Sequence, residues 1–475
     1  MNITSKCWIL EIIALVWAPV VLANTPGANV KPLTTLAVFD TGNGAGPRSL
    51  TQGSDGAFYG ITSQGGVHNG GSVFKVTNSG MLTTLYSFCA QSNCTDGAFP
   101  TGLIEGTDGF FYGTTLAGGN ISGSGSVFKI TKAGRLTTLH SFCAQQNCAD
   151  GENPNPLVQG ADGAFYGTTQ FGGTKGAGTA FKITSGGDFT TLHTFTGSDG
   201  ASPAMAMIQA NDGNFYGTTA GGSSTGSITA FKLTPQGTVT TLHTFCDKPS
   251  CLDGPVPGNL IQAADGNLYG TTILYKKGAV SGDPIIFKLT LDGVLTTYYS
   301  FCSPSDVCNY GVVGLIQGSD GAFYGITDNG SGTIFNLGQS REFKVIDTFD
   351  GANGYGPTAL IQGTNGRLYG ATLGFTPDGI GGTVFRQAVG LEPFVALQGT
   401  LGAVGAVVNI LGNNLEGTTR VTFDGVSATF TVISGSEIQA TIPDGATTGT
   451  VVVTTPGGLL TSSVVFTVIS DRPGG

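Results

Sequence analysis

The stretch that decides the fold is Gly-Leu-Ile-Gln-Gly-Ser-Asp-Gly-Ala-Phe-Tyr-Gly-Ile-Thr, residues 314–327. It contains a short apolar strand, an Asp-Gly turn and a second strand, which is the pattern of a tight β-hairpin. The Asp-Gly-x-Phe-Tyr-Gly part, or a close variant, recurs along the chain at intervals of about 50 residues, a period typical of propellers, solenoids and repeat arrays. Its tyrosines are Tyr59, Tyr112, Tyr166, Tyr216, Tyr269, Tyr324 and Tyr369.

Two further strand motifs follow the hairpins. One reads Ser-Val-Phe-Lys-Ile at residues 126–130, and the other reads Leu-Thr-Thr-Leu at residues 136–139. Four short strands per unit predict the blade of a β-propeller. A Leu-Thr-Thr-Leu strand at residues 33–36 precedes the first hairpin, whereas the last Val-Phe-Arg strand, residues 384–386, is followed by none. We therefore expect these two strands to pair and to close a seven-bladed ring over residues 33–388, with an open β-solenoid as the alternative.

Strand parity predicts two different faces. The Asp-Gly turns and the turns between third and fourth strands share one face, which we call the turn face. The loops between second and third strands and the loops between blades share the other, which we call the loop face. Because binding residues concentrate on variable loops above a rigid scaffold, we expect a ligand site on the loop face. The candidate residues there are Phe171, Tyr275, Lys276 and Phe375.

Composition excludes several classes of protein. Glycine accounts for 79 of 475 residues and charged residues for 11%, which is incompatible with a long helical or coiled-coil protein. A hydrophobic fraction of 40% is too high for a disordered polymer. The formal net charge of −10 argues against a nucleic-acid partner or an anionic membrane surface.

The N-terminus and the cysteines both indicate export. Residues 1–23 have the pattern of a signal peptide, with an uncleaved membrane anchor as the alternative, and residues 24–32 form a linker. No membrane span is expected in the mature chain. The cysteines after residue 23 fall into near-neighbour pairs, which predict local disulfides because their spacing does not suit zinc. These pairs are Cys89/Cys94, Cys143/Cys148, Cys246/Cys251 and Cys302/Cys308. We expect a secreted or cell-surface protein, with the periplasm as the alternative.

Polar positions that recur in every repeat could be functional or structural. The aspartates of the Asp-Gly turns are interpreted as turn formers rather than calcium ligands, because each repeat offers one carboxylate. The lysine of the third strand is interpreted as an exposed residue that discourages sheet-edge pairing. The glutamine that ends the first strand is interpreted as a tie between blades, and Glu105, the one acid at that position, is a candidate ligand-binding residue. His140, His193 and His243 occupy one repeat position on separate blades, which argues against a metal site.

Residues 393–470 contain alternating valines separated by Gly, Pro and Asn turns, a pattern typical of a small β-sandwich. The runs Val-Thr-Phe-Asp-Gly (residues 421–425) and Val-Thr-Thr-Pro-Gly-Gly (residues 453–458) closely resemble the IPT/TIG immunoglobulin-like domain. This resemblance implies a spacer or interaction module; residues 471–475 form a tail. The repeat at residues 314–327 resembles the bacterial Gloeo-Verruco (GloVer) tandem-repeat family, which implies an exported protein and brings no known activity with it.

Together these patterns predict an all-β chain, a seven-bladed propeller followed by an immunoglobulin-like sandwich. Its expected role is a non-catalytic scaffold that binds carbohydrate or an extracellular protein. We find no catalytic motif, no metal site and no cofactor site in the sequence. The alternative is a lyase or hydrolase that acts on extracellular polysaccharide or glycoside at the mouth of the propeller channel, and a purely structural envelope component is a third interpretation.

Overall fold

The structure is a computed structural model and describes residues 33–120, 122–221, 227–247, 256–273, 284–301, 311–374 and 381–469. The predicted signal peptide, linker and tail lie outside these ranges. So do the candidates Tyr275, Lys276 and Phe375 and the cysteines Cys251, Cys302 and Cys308. Within the described ranges no helix has both the length and the apolar character that crossing a bilayer requires.

The repeats fold as antiparallel four-stranded sheets, the blades of a propeller. Contacts between the first strands of neighbouring blades place these strands at the centre of the ring. Blade 1 contains β2 (Ala45–Gln52), β3 (Phe58–Gln64), β4 (Ser72–Val76) and β5 (Leu82–Ser87). Blade 2 contains β6 (Ala98–Glu105), β7 (Phe111–Ala117), β8 (Ser126–Ile130) and β9 (Leu136–Ser141). Blade 3 contains β10 (Glu152–Pro154), β11 (Val158–Gln159), β12 (Phe165–Phe171), β13 (Thr179–Ile183) and β14 (Phe189–Thr194). In blade 3 the first strand is split into β10 and β11, and both pair with β12.

The next three blades repeat this order from the centre outwards. Blade 4 contains β15 (Ile208–Gln209), β16 (Phe215–Thr218), β17 (Thr229–Leu233) and β18 (Val239–Thr244). Blade 5 contains β19 (Val256–Gln262), β20 (Leu268–Ile273), β21 (Ile285–Leu289) and β22 (Leu295–Ser300). Blade 6 contains β23 (Val312–Gln317), β24 (Phe323–Thr327), β25 (Thr333–Leu337) and β26 (Phe343–Thr348).

Blade 7 closes the ring with the two ends of the repeat array. Its strands β27 (Tyr355–Gln362), β28 (Leu368–Gly374) and β29 (Thr383–Gln387) come from the end of the array, and its fourth strand is β1 (Thr34–Val38). Strand β1 pairs antiparallel with β29, with Thr34 opposite Arg386 and Val38 opposite Thr383. The predicted seven-bladed closure is therefore confirmed.

The Phe-Tyr-Gly motif explains how a blade packs internally and against its neighbour. A Cβ atom added to Gly60 would lie 2.2 Å from the Ser49 carbonyl oxygen and 2.5 Å from the Phe74 ring, so the position has room for glycine alone. Where the next blade's motif carries phenylalanine, the tyrosine of one blade packs against that ring in a stacked or tilted arrangement, which is favourable for aromatic pairs. These ring pairs are Tyr59–Phe111, Tyr112–Phe165, Tyr166–Phe215, Tyr269–Phe323 and Tyr369–Phe58, with centroids 3.9 to 4.7 Å apart.

The C-terminal segment folds as a β-sandwich, as predicted. One sheet has the order β30-β32-β36-β35, the other has the order β34-β33-β37-β38, and β31 pairs in parallel with β39. The bounds are β30 (Ala396–Gln398), β31 (Leu401–Ala403), β32 (Val407–Leu411), β33 (Arg420–Phe423), β34 (Val426–Ser427), β35 (Thr429–Ser434), β36 (Glu437–Thr441), β37 (Val451–Thr455), β38 (Gly458–Thr461) and β39 (Thr467–Ile469). Valine and isoleucine side chains that alternate along these strands fill the space between the sheets, around Phe423 and Phe466.

The sandwich docks on the turn face of the propeller. Ser436 donates a 2.6 Å hydrogen bond to the carbonyl of Ser54 in blade 1. Asn409 donates to the carbonyl of Thr107 in blade 2 at 3.2 Å. The backbone N–H of Phe394 donates to the carbonyl of Thr364 in blade 7 at 3.0 Å. The domain therefore sits over the Asp-Gly turns of blades 7, 1 and 2, on the face opposite the loop face.

Candidate ligand-binding site

The first strand of a blade ends in a side chain that ties it to the preceding blade. In blade 3 the side-chain carbonyl of Gln159 accepts a 3.0 Å hydrogen bond from the backbone N–H of Thr107 in blade 2. Its amide nitrogen donates at 3.0 Å to the carbonyl of Gly163 in its own turn. Gln52, Gln209, Gln262, Gln317 and Gln362 accept the equivalent backbone N–H. The predicted structural role of these glutamines is confirmed.

The aspartate of the Asp-Gly turn forms the turn and also anchors two side chains. In blade 5, Asp265 accepts the backbone N–H of Asn267 at 3.0 Å. It also accepts the Tyr269 hydroxyl at 2.9 Å and the Lys288 ammonium at 2.8 Å. The equivalent ion pairs are Lys75–Asp55, Lys129–Asp108, Lys182–Asp162 and Lys232–Asp212.

The interpretation of these lysines as exposed residues that discourage sheet-edge pairing is wrong. The third strand lies between the second and the fourth, so it presents no free edge. The ion pair forms in the five blades that carry both residues. Blade 6 has Asn336 in place of the lysine and blade 7 has Asn365 in place of the aspartate. Because each pair is partly open to solvent, a blade can lose one partner without leaving a fully buried charge.

The charges of this cluster are fixed at neutral pH. Burial raises the pKa of Asp265, but hydrogen bonds from Lys288, Asn267 and Tyr269 outweigh it and lower the pKa to about 2. Burial, together with the hydrogen bond to Asp265 and its charge, raises the pKa of Tyr269 above its usual value. The carboxylate is therefore ionised and the phenol is neutral across the physiological range, which suits a structural clamp rather than proton transfer.

A second set of aspartates shapes the loops between blades. Asp96 is fully buried and accepts the Tyr86 hydroxyl at 2.8 Å and the backbone N–H of Ala90 at 2.9 Å. Histidine replaces this tyrosine in blades 2 to 4, and in blades 2 and 3 it forms the pairs His140–Asp150 and His193–Asp199. Burial lowers the pKa of His140, although Asp150 opposes that shift. Each of these two histidines therefore hydrogen-bonds an aspartate in the loop that follows its own strand.

Disulfides close the same loops. The predicted bonds Cys89–Cys94 and Cys143–Cys148 are both present. Cys246 is also disulfide-bonded, while its predicted partner Cys251 lies outside the described residues. Each bond links two residues five positions apart and so closes a short segment of its loop.

A cleft of about 580 Å³ opens on the loop face between blades 1 and 2. His68 and Asn69 line it from the loop between β3 and β4, Asn93 from the disulfide loop, and Asn120 from the loop between β7 and β8. Phe99, at the start of β6, supplies an aromatic side chain. Among the described residues that line this cleft there is no Asp, Glu, Lys or Arg. It therefore offers one aromatic surface and several amides without a formal charge.

Phe99 occupies a conformation that large side chains avoid. Its φ is +57°, in the left-handed region, and its side chain is 41% exposed. The N–H of Phe99 donates to the Gly70 carbonyl of blade 1 at 2.7 Å, and this bond between blades holds the backbone there. The same repeat position, just before a proline, is left-handed at Gly46, Asn153, Ser202 and Gly356. A phenylalanine here costs about 1–2 kcal/mol of strain.

Phe99 was not among the predicted site residues, although the sequence carries a signal for it. Aligning the repeats places Phe99 opposite glycine, asparagine or serine in five blades and opposite Val256 in blade 5, so it is a large aromatic residue at a position that is small or polar in most blades. Phe171, which the sequence did single out, ends β12 on the loop face and is 44% exposed. It pairs with Glu152 in blade 3 and does not line the cleft.

Glu105, the remaining described candidate, is enclosed. Its side chain is 2% exposed. Ser54 donates to its carboxylate through the backbone N–H at 2.6 Å and through the hydroxyl at 2.8 Å. Lys132 lies 2.8 Å away, and Gln398 of the sandwich donates at 3.1 Å. The carboxylate lies beneath the C-terminal domain on the turn face, away from the cleft.

A family model described as the Gloeobacter/Verrucomicrobia repeat matches residues 20–149 and 142–331. The chain belongs to this family. An IPT/TIG domain model matches residues 394–468, the segment that forms the sandwich. Both predicted resemblances are therefore confirmed, and the chain joins a Gloeobacter/Verrucomicrobia repeat propeller to an IPT/TIG domain. None of the curated proteins matches it.

Solved structures similar to this Gloeobacter/Verrucomicrobia repeat protein share its fold at low identity. The extracellular domain of a one-component system from B. thetaiotaomicron matches with a TM-score of 0.50 and 11% identity, over 93% of this chain and 60% of that one. The extracellular domain of a hybrid two-component system from the same organism has a TM-score of 0.50, 12% identity and coverage of 88% and 51%. This chain therefore spans little more than half the length of those two domains.

A fungal alcohol oxidase of the AA5 family, solved with copper, matches with a TM-score of 0.52 and 11% identity, over 92% of this chain and 99% of that one. At this level of identity the similarity concerns the fold alone.

Proposed function

We propose that this chain is an exported, non-catalytic propeller scaffold whose loop face binds carbohydrate at the cell surface or outside the cell. The observation that carries the proposal is Phe99, a strained and exposed aromatic residue at the wall of the 580 Å³ cleft. Strained backbone under a large exposed side chain is commonly associated with a functional site. Of the six equivalent described positions, five have glycine, asparagine or serine, and the sixth is Val256, whose backbone is not in the left-handed region.

The chemistry of the cleft suits a neutral sugar. The face of a sugar ring carries C–H groups that pack on an aromatic side chain. Its hydroxyls both donate and accept hydrogen bonds, and the amides of Asn69 and Asn93 do the same. A charged ligand would find no oppositely charged side chain among the described residues of the cleft, so its desolvation would remain uncompensated.

Two further observations support an extracellular scaffold. The disulfides Cys89–Cys94 and Cys143–Cys148 are of a kind that persists in oxidising compartments such as the extracellular space and the periplasm. The C-terminal domain docks on the turn face and so leaves the loop face open to a large partner. The enzymatic alternative would be favoured by Glu105 clustered with Asp, His or Arg at the channel mouth, whereas the described partners of its enclosed carboxylate are Lys132, Ser54 and Gln398.

Affinity electrophoresis of the mature chain tests the proposal. The gels contain a neutral galactomannan, a neutral glucan or the acidic polymer polygalacturonate. We expect retardation by a neutral polymer, and we expect Phe99→Ala to weaken it about tenfold because the stacking surface is lost. Binding should change little between about 50 and about 500 mM NaCl, since no formal charges take part.

The matched control is Phe171→Ala, which removes an aromatic side chain of similar exposure on the same face but outside the cleft. It should leave the retardation unchanged. Equal retardation of the native chain and Phe99→Ala would contradict the proposal, and so would binding to polygalacturonate that collapses with salt. Binding to purified envelope proteins without binding to any polysaccharide would replace the carbohydrate by a protein partner.

A further inference from the structure

Blade 2 departs from the other blades at two positions on the turn face. Its first strand ends in Glu105, where the six other blades have glutamine. Its turn between third and fourth strands carries Lys132, where the corresponding turns have Asn78, Ser185, Pro235 and Leu291. These two departures contact each other, with 2.8 Å between the Lys132 ammonium and Oε1 of Glu105.

The change from glutamine to glutamate at residue 105 preserves the hydrogen bond from the preceding blade. It removes the bond that a glutamine amide donates to the carbonyl of its own turn. Oε2 of Glu105 still accepts the backbone N–H of Ser54, as each glutamine accepts the equivalent N–H. A glutamine also donates its amide to the carbonyl of its own turn, as Gln159 does to Gly163, and a carboxylate has no proton for that bond. The carboxylate has lone pairs to spare instead, and Gln398 of the C-terminal domain donates to Oε2 at 3.1 Å.

The contact continues into the sandwich. The side-chain carbonyl of Gln398 accepts a 3.0 Å hydrogen bond from Asn409, whose amide also donates to the carbonyl of Thr107 in blade 2. On the adjacent strand β36, Glu437 lies within the field of Lys132 and Glu105. Burial raises the pKa of Glu437, an effect that the charge of Lys132 opposes and that of Glu105 reinforces. The lysine thus faces acids from both domains.

The remaining hydrogen bonds of the sandwich do not favour one side of blade 7. They reach the backbone carbonyls of Ser54, Thr107 and Thr364, which occupy one repeat position in three blades. Asn413 also donates to the Thr364 hydroxyl at 2.6 Å, but this bond holds the domain to blade 7 itself. The short tether between Gln387 and Val395 keeps the domain near blade 7, but blade 7 has neighbours on both sides. Equivalent carbonyls are available towards blades 6 and 5 as well as towards blades 1 and 2.

We infer that Glu105 and Lys132 form a latch that holds the C-terminal domain over blades 7, 1 and 2 and selects this side of blade 7. The partner that this surface fits is the chain's own IPT/TIG domain, through Gln398. The latch fixes the two domains as one body and thereby sets the direction in which the loop face points relative to the C-terminus. This inference does not depend on what the loop face binds.

Hydrogen exchange of the full mature chain tests the latch. In Glu105→Gln the ring bond to Ser54 persists, whereas Lys132 loses its 2.8 Å ion pair with residue 105 and Gln398 loses its carboxylate acceptor. We expect at least tenfold faster exchange in peptides covering residues 394–398, 409–413 and 434–437. Exchange in the strands of blades 4 to 6 should stay at the native rate, which shows that the propeller remains folded.

Two further variants distinguish loss of the latch from a disturbance of the hydrogen bonds between blades. Gln398→Leu breaks the contact from the sandwich side without touching the propeller, and it should give the same pattern of exchange. Gln262→Glu places a carboxylate at the same ring position of blade 5, where the tie reaches Asn211 of blade 4 and not the turns under the sandwich, and should leave these peptides protected. Native exchange in both Glu105→Gln and Gln398→Leu would overturn the inference, as would faster exchange that spreads equally through all blades.

Discussion

Phe99 shows how a single residue can depart from its repeat without disturbing the fold. The bond from its N–H to Gly70 fixes the left-handed backbone, and the side chain adds strain that glycine or asparagine would not. The scaffold tolerates this cost because stacked blades support the loop from both sides.

Phe99→Asn should separate binding from stability. Asparagine adopts the left-handed region readily, as Asn153 does at the same position of blade 3. Relief of strain offsets the lost apolar contact, so we expect the free energy of unfolding to change by less than about 1 kcal/mol. Urea unfolding measures this, and affinity electrophoresis should show lost binding to neutral polysaccharide. A loss of about 3 kcal/mol or more, as expected for truncating a fully buried phenylalanine, would show that Phe99 serves the core instead.

The Asp265 cluster predicts a defined response to acid. The pKa of Asp265 is about 2, below the value of about 3.9 for an unfolded chain. Its contribution to stability is therefore fully present above about pH 4 and is lost as the pH falls towards about 2. Asp265→Asn, which copies Asn365 of blade 7, should lower the free energy of unfolding by about 1 kcal/mol at neutral pH.

The difference in unfolding free energy between the native chain and Asp265→Asn should shrink from pH 4 to pH 2, because other acid-sensitive groups cancel in the comparison. Denaturant titrations at several pH values measure it. A difference that stays constant over this interval would show that the ion pair with Lys288 does not form in solution.

Among individual residues, the sequence predicted that the aspartates form turns and that the glutamines link neighbouring blades, because each role follows from one repeat position. It did not predict the Lys288–Asp265 type of pair, because two blades lack one partner and the pair therefore looked dispensable. Nor did it show that Glu105 is enclosed, since its burial depends on a domain that begins almost three hundred residues later.

The loops between blades are the elements that turn a regular scaffold into a specific surface. In blades 1 and 2 a disulfide closes each loop, and Cys89 and Cys94 belong to the lining of the cleft. In blade 3 the loop after β14 has Thr196 in place of the first cysteine, and Asp199 shapes it by accepting the N–H of Thr196. Strand positions were predictable from periodicity, whereas loop shapes depend on such contacts and were not.

Removing the first disulfide should affect both stability and binding. Cys89→Ser with Cys94→Ser opens a loop of six residues, which costs about 2 kcal/mol in the chain-entropy model, and the loosened cleft should bind neutral polysaccharide more weakly. The matched control is Cys143→Ser with Cys148→Ser, which opens an equivalent loop outside the cleft. Thermal unfolding and affinity electrophoresis compare the two. Equal loss of binding in both double variants would mean that the cleft is not the site.

The closure of the propeller ring depends on the pairing of β1 with β29. Four-stranded units and an orphan strand at the start of the array were enough to predict this closure from the sequence. The position of the sandwich was not predictable, because the ring offers almost identical turns on either side of blade 7 and the choice rests on side-chain contacts at Glu105.

Truncation of β1 tests the closure. A chain that begins after Val38 leaves the outer edge of β29 unpaired and exposes the core beside Val384, where Ala37 is buried in the native chain. We expect a loss of several kcal/mol in unfolding free energy and self-association through the free edge. Urea unfolding and sedimentation velocity measure the two effects. A monomer of native stability would show that the ring does not need its first strand.

Because β1 pairs with β29, the ring cannot close until the chain has been synthesised from its N-terminus as far as β29. Thr34 meets Arg386 only after nearly the entire propeller has been translated and, for an exported chain, has crossed the membrane. Until then both outer strands are adhesive edges that could pair with other molecules. Such a protein should depend on holding chaperones during transit more than an open array of the same repeats would.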